Sequence, residues 1–292
     1  MNDKNKKFLN LPKKEKKKLI HRISKEIINA FNKVYWFNFT KIIYFYKTYL
    51  SKEYKRKNFI SLLCISRERV KKLELLLLSI KEKTKFKNNI ELLILIDNDE
   101  PMKNEYIELI NEYKKNYNIK LYIRDFKKNT ERVNFLASQS KGNILFNTND
   151  DMHIVTNNWD DELNKEANKF SNDEGFCVWP YVDINKYKYL HCDFPIISRK
   201  WFEDLGYYLY PEFNHFYGDK WNCDLSKINK NFLVTNKVKI RNIKREQMLK
   251  ENDKTFFRTQ STYKKDEEIY QINKKKLIIE SKKITIKKLN IF

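Results

Sequence analysis

The sequence predicts an α/β fold with a mostly parallel central sheet, and three observations carry that prediction. Short apolar runs, Phe59–Ile65 (FISLLCI), Glu91–Ile96 (ELLILI) and Ile144–Phe146, are bounded by polar residues, as in strands buried on both faces. Segments of helical length separate them, the alternation that gives right-handed βαβ crossovers. The first, second and fourth predicted strands end in polar, partly acidic clusters. In open α/β sheets ligands sit at that carboxyl edge.

Taken in order, residues 1–57 read as a separate region. Lys13–Lys18 is a basic run, and Leu19, Ile20, Ile23, Ile27, Ile28 and Phe31 follow at helical spacing. Val34–Leu50 is dense in aromatic residues but interrupted by Lys41 and Lys47, too short and too charged for a membrane span. Two readings stand: a helix lying in an anionic membrane interface, or aromatic packing onto the main domain.

The first strand, Phe59–Ile65, leads through Ser66, Arg67 and Glu68 into a helix over Arg69–Lys83. The second ends in Asp97, Asn98 and Asp99. A helix over Tyr106–Tyr117, a strand at Lys120–Ile123 and a helix over about Thr130–Ser140 bring the chain to GNILFNTNDD, Gly142–Asp151. Asn149 and Asp151 flank one residue, so in extended chain their side chains share a side. Two oxygen ligands there suit a hard cation, Mg²⁺ or Mn²⁺. Asn and Asp are also ordinary turn residues, and taken alone the motif reads more readily as a plain strand-to-loop turn.

The second half is rich in aromatics. A helix over Trp159–Phe170 and a strand at Phe176–Trp179 precede Ser198, which caps a helix Arg199–Leu205 ended by Gly206. A loop through His215–Asp219, a helix Trp221–Asn229 and a strand Phe232–Ile240 close the core. Beyond Lys244 the chain is charged, with weak helical periodicity at Glu267–Lys276.

Composition bounds the class. At 292 residues the chain holds one large α/β domain with extensions, or two small domains. Only 4 Gly and 5 Pro argue against collagen-like and linker-like sequences. The net charge of +22 comes from lysines spread along the whole chain, which also matches a general Lys/Asn/Ile bias. Such a chain is drawn to anionic lipid, polyphosphate or nucleic acid. Cys64, Cys177, Cys192 and Cys223 lack CxxC spacing and no signal peptide precedes them, which predicts reduced thiols in a cytoplasmic protein.

Ser66-Arg67, Asp97-Asn98-Asp99 and RVNFLASQSKGNILFNTNDD together resemble the nucleotide-sugar glycosyltransferases of the GT-A fold, particularly the family 2 type. In that family an Asn, a small residue and a Gly lead through a strand into a DxD motif. Asn134, Ser140, Gly142 and Asn149-Asp150-Asp151 fall at the matching spacing. FPIISRKWFEDLGYY with the aromatic loop and Asp219-Lys220-Trp221 resembles the acceptor-side half. The likeness spans roughly Phe59–Ile240. It implies a Rossmann-like three-layer α/β/α domain over 58–243, between a basic helical extension at 1–57 and a charged one at 244–292.

The resemblance implies transfer of a sugar from a nucleoside-diphosphate sugar, UDP-linked, to a glycan or lipid-linked acceptor, with inversion and assistance from Mn²⁺ or Mg²⁺. Asp151 is then a metal ligand, with Asn149 and Asp150 assisting metal or ribose. Asp97 meets the uracil or ribose, and Ser66 and Arg67 lie beside the base. Asp99 is a ligand or a loop cap before Pro101, and Arg132 a phosphate contact or a solvated helix residue. Asp219 serves as base, or as a helix N-cap. Trp159, Trp201, Tyr217 and Trp221 stack on an acceptor sugar or fill the core. Of His153, His191 and His215, only His215 lies close to Asp219 in the chain. Two departures stand out: Asn149 replaces the first Asp of the motif, and Arg241-Asn242 stands where many relatives carry a His ligand. The rival expectations are a decayed polyanion- or membrane-binding module and a nucleotidyltransferase. The latter would usually show a glycine-rich phosphate loop after the first strand, and none is present. Nucleic acid is not an expected partner. The expected location is cytoplasmic, peripheral on the inner membrane face.

Overall fold

The computed structural model describes residues 30, 34–35, 38–45, 57–182, 192–242 and 252–286. Lys13–Lys18, His191 and much of the 34–50 stretch lie outside them. The chain divides into two compact units, Met1–Ile42 and Ile43–Phe292. In the first, the described residues are helical, with Tyr35 stacked on Phe39. Everything below concerns the second unit. No helix among the described residues is long and apolar enough to cross a membrane.

The elements are β1 (Ile60–Ile65), α1 (Val70–Lys83), β2 (Ile90–Ile96), α2 (Lys103–Lys114), β3 (Asn118–Ile123), α3 (Asn129–Gln139), β4 (Ile144–Asn149), β5 (Met152–Ile154), α4 (Trp159–Ala167), β6 (Cys177–Val182), β7 (Ile196–Ser198), α5 (Arg199–Leu205), α6 (Gly218–Asn229), β8 (Phe232–Asn242), α7 (Lys254–Gln260), α8 (Tyr263–Asn273) and α9 (Lys276–Lys283). They form an eight-stranded sheet in the order β3-β2-β1-β4-β7-β6-β8-β5. The half β3-β2-β1-β4 is parallel throughout, and β6 pairs with β8 in parallel. The pairs β4–β7, β6–β7 and β5–β8 are antiparallel. The expected α/β class holds, with a sheet that is parallel in one half and mixed in the other.

Burial on both faces explains the apolar runs. Ile60, Leu62 and Cys64 of β1 pack in one cluster with Leu73, Leu76, Leu77 and Ile80 of α1, which recur at one helical face. Their alternates Leu63, Leu93, Leu95 and Leu145 are buried as well. Each such side chain contributes about 1.5–3 kcal/mol of burial. Gly142, in the expected motif, has a packing cause: a Cβ there would lie 2.4 Å from Ser61 Oγ and 2.7 Å from the Phe59 carbonyl. Ser198 caps α5 by accepting the Trp201 N–H, and Gly206 ends it at φ 77°, as the sequence predicts. The four cysteines are free and buried.

Three differences bear on the site. The two-strand extension β5–β8 carries the sheet to Asn242, past the expected end at Ile240. α6 begins at Gly218 rather than Trp221, and the left-handed residue is Tyr217 (φ 70°), not the glycine. Gly218 packs closely on Leu209, whose Cδ2 would lie 2.8 Å from an added Cβ and would have to move. Finally, the charged C-terminal stretch folds into α7, α8 and α9.

Candidate active site at the carboxyl ends of the parallel strands

β1 and β4 are neighbours, so Ser66 and Asp150 leave the sheet at the same edge. There they bond directly: Ser66 Oγ donates to Asp150 Oδ2 at 2.7 Å and lies 2.6 Å from the Tyr106 hydroxyl. That hydroxyl accepts the backbone N–H of Arg69 at 3.0 Å. Arg69 Nη1 donates to Asp150 Oδ1 at 3.0 Å and lies 3.6 Å from Asp151 Oδ2. Both oxygens of Asp150 are thus engaged by protein groups. Glu68, between these residues, adopts φ 54°, a backbone state that costs a non-glycine residue about 1–3 kcal/mol and gathers at functional sites.

Asp151 behaves differently. The chain turns at 150–151, so the extended-chain argument that placed Asn149 and Asp151 on one side does not apply. Asn149 is exposed while Asp151 is buried. Both nevertheless face one cavity of about 420 Å³. Burial, then the neighbouring Asp150 charge, raises the Asp151 carboxyl to about 7. Its Oδ1 is buried and has no hydrogen-bond partner, and Oδ1 of Asn242, which lines the same cavity, is in the same condition.

The rest of the cavity wall comes from four places. The end of β1 gives Ile65, Ser66, Arg67 and Arg69, and the start of α3 gives Asn129, Arg132 and Val133. The loop before α6 gives His215 and Phe216. The fourth wall is α7, with Thr255, Phe256, Arg258, Thr259 and Gln260. Asp253 anchors it: its carboxylate caps α7 through the Phe256 N–H and accepts from Arg69 Nη2 (2.8 Å) and Lys72 Nζ (2.5 Å). Thr255 Oγ1 adds a bond to the Arg67 carbonyl. On α8, fully buried Asp266 accepts the N–H groups of Asn214, His215 and Phe216 together with the Asn214 amide. The C-terminal stretch therefore builds the site, where the sequence predicts only a charged extension.

Other expected residues fall elsewhere. Asp97 is buried outside the cavity lining, held by Arg67 Nη1 at 2.8 Å and facing Arg132 Nη2 at 2.7 Å. It orients two arginines that do line it. Asp99 is forked by Arg67 at the rim, and that hydrogen bond holds its carboxyl below the usual range. Asn134 is a clamp: its amide oxygen accepts the N–H groups of Tyr208 and Leu209, and its Nδ2 donates to the Leu209 carbonyl. Trp159 and Trp221, expected to stack on an acceptor, are fully buried; the first packs on Phe146 and donates to Thr84, the second stacks on Tyr210 and donates to Tyr207. Neither offers a free ring face. Trp201 is buried likewise. Tyr217 leans on Tyr263 and Tyr270. Asp219, half-exposed at the start of α6, accepts the Lys220 N–H and does not line the cavity. His215 does, and burial lowers its imidazole to about 4, so it is neutral near pH 7.

Among the described residues no three His, Cys, Asp or Glu side chains gather into a metal centre. The donor set still fits a hard divalent cation. Two buried, unpartnered oxygens, Asp151 Oδ1 and Asn242 Oδ1, face one cavity, and Mg²⁺ or Mn²⁺ keeps further positions for water and phosphate oxygens.

This fold, with its acidic turn after the fourth parallel strand, is that of the GT-A glycosyltransferases. No family model matches the sequence, and no curated protein matches it. Solved structures do. A mannosyltransferase from Pyrobaculum calidifontis, PcManGT, in complex with GDP-Man and Mn²⁺, aligns over 72% of this chain and 66% of its own at a TM-score of 0.54 and 11% identity. TarS from S. aureus (residues 1–349) aligns over 63% and 60% at 0.50 and 14% identity. GalNAc-T7 with UDP, GalNAc and Mn²⁺ aligns over 64% and 43% at 0.53 and 16% identity. The chain thus spans between under half and about two thirds of these proteins.

Proposed function

We propose that the chain is a glycosyltransferase that moves a sugar from a nucleoside-diphosphate sugar, UDP-linked, to a glycan or lipid-linked acceptor with inversion. The observation that carries this is Asp151: a buried carboxylate with an unpartnered oxygen at the end of β4, facing a cavity bordered by Arg67, Arg69 and Arg132. Two structural neighbours hold nucleotides together with Mn²⁺, which supports the same pairing here.

A divalent cation on Asp151 and Asn242, with Asn149 at the mouth, would neutralise charge developing on the departing diphosphate. The protein's own part is positioning and charge. Arg132 and Arg69 attract phosphate oxygens, while Asp97 and Asp150 hold those guanidinium groups in place. α7 supplies one wall of the cavity. Asp219 is the proposed base for the acceptor hydroxyl. A second reading gives that role to His215, favoured by one observation: its neutral imidazole lines the cavity and Asp219 does not.

Calorimetry with UDP, with and without Mn²⁺, tests the assignment on wild type and Asp151→Ala. Wild type should bind UDP in a Mn²⁺-dependent way, and at ~100 times the dissociation constant should gain roughly 2.7 kcal/mol of stability. Equal affinity in both proteins, with or without metal, removes the donor-site reading.

A further inference from the structure

The helices α8 and α9 mix polar and apolar groups on both faces. Their inward positions include Asn273, Glu280 and Ser281 beside Leu277 and Ile284. The inward polar groups are bonded: Asn273 Nδ2 donates to Glu212, and Glu280 accepts from Tyr207 at 2.9 Å. Three isoleucines face the other way. Ile272, Ile278 and Ile279 are 77%, 58% and 61% exposed, and Ile286 follows just beyond α9. Residues 274 and 275, between the two helices, keep right-handed helical backbone. Ile272, Lys275, Ile279 and Lys282 therefore recur at helical spacing along one outward stripe.

From Ile272 onward the exposed charges have one sign, whereas the preceding turn of α8 carries exposed Glu267 and Glu268. From Ile272 to Ile286 every exposed ionisable side chain is a lysine: Lys274, Lys275, Lys276, Lys282 and Lys283. Glu280, the single acid in the span, is buried. Lys274, Lys275 and Lys282 make no ion pair among the described residues. Large exposed aliphatics ringed by unpaired lysines lose free energy in water and gain it at an anionic lipid interface. There the chains bury and the long lysine stems reach the headgroups.

We infer that the outward stripe running from Ile272 at the end of α8 along α9 is a docking surface for an anionic membrane. It involves a different stretch of the sequence from the basic N-terminal run, and it does not rest on the donor-site reading. Its position gives docking a consequence for the site, because α8 also carries Asp266, which holds the 214–216 loop.

The test uses the full chain with phosphatidylglycerol-rich and pure phosphatidylcholine vesicles. Wild type should sediment with the anionic vesicles at about 0.1 M salt and be released near 1 M, where the screening length falls to about 3 Å. Ile278→Ser/Ile279→Ser should lower the bound fraction by at least about tenfold while leaving thermal unfolding unchanged, because both side chains are already exposed. Lys274→Gln/Lys275→Gln should weaken binding by about fivefold per lysine. Leu78→Ser, an exposed apolar site on α1, should change nothing. If the isoleucine pair binds like wild type, or only loses self-association in size-exclusion chromatography, the inference is overturned. Equal binding to both vesicle types by wild type overturns it as well.

Discussion

At the scale of single residues, Arg69 is the hinge of the site, shared between Asp150 on one side and Asp253 on the other. Burial works against the Asp253 charge, but hydrogen bonds from Arg69 and Lys72 hold its carboxyl down at about 2. Its unfolded value is about 3.9. A depressed pKa means stability that is present above the unfolded value and lost as pH falls through the folded one. Urea unfolding of wild type against Asp253→Asn should therefore show a gap of about 2 kcal/mol at pH 6 that shrinks between pH 4 and pH 2. The two candidate bases separate by kinetics. If Asp219 takes the acceptor proton, Asp219→Asn loses about 10²–10⁴-fold in turnover with donor affinity nearly intact, and Asn remains a competent cap. Near-wild-type turnover in Asp219→Asn, with a loss of that size in His215→Gln, moves the role to the histidine.

At the scale of elements, the 214–216 loop depends on α8 for its backbone bonds. Asp266→Ala leaves four N–H groups without their acceptor. That should cost roughly 3–5 kcal/mol by denaturant unfolding and raise KM for the donor before it lowers kcat. Only weak helical periodicity at Glu267–Lys276 marked this element in the sequence, and the reason is physical. Helical periodicity is read from apolar residues pointing inward, whereas α8 and α9 send Asp266, Asn273 and Glu280 inward and three isoleucines outward. β1, β2 and β4 were legible because both faces are buried, so their apolar runs are nearly unbroken. β5 and β7, three residues each, carry no period to detect. Trp159 and Trp221 mislead for a different reason: an indole serves core and sugar platform equally well, and sequence alone does not say which side it faces. Asn134 and Gly142 were recognisable by spacing, though their work in the structure is clamping and close packing. The Arg69–Asp253 pair joins residues 184 apart, and no local pattern announces it.

At the scale of the whole molecule, the sheet is two halves joined along β4 and β7. The parallel half delivers Ser66, Arg67, Asp150 and Asp151 to one edge, and the mixed half frames that edge with Asn242 and the 214–216 loop. The net charge of +22 is too evenly spread to mark the site, but it bears on attachment. Replacing Lys13, Lys14, Lys16, Lys17 and Lys18 by glutamine in the full chain should weaken sedimentation with anionic vesicles by about 1 kcal/mol per lysine at low salt, and by little at high salt. Unchanged sedimentation at low salt would leave attachment to other surfaces.

The anchoring of α7 and α8 also sets an order in time. Asp253 and Asp266 follow the last strand of the sheet, so β1 through β8 are synthesised before either carboxylate exists. The 24 residues from Asn242 to Asp266 take roughly 1–5 s to make at 5–20 residues per second. Through that interval the sheet can assemble, but the cavity lacks the wall that α7 supplies and the 214–216 loop lacks the Asp266 acceptor for its N–H groups. A nascent chain short of residue 266 therefore holds the sheet edge without the two carboxylates that fix its surrounding helix and loop.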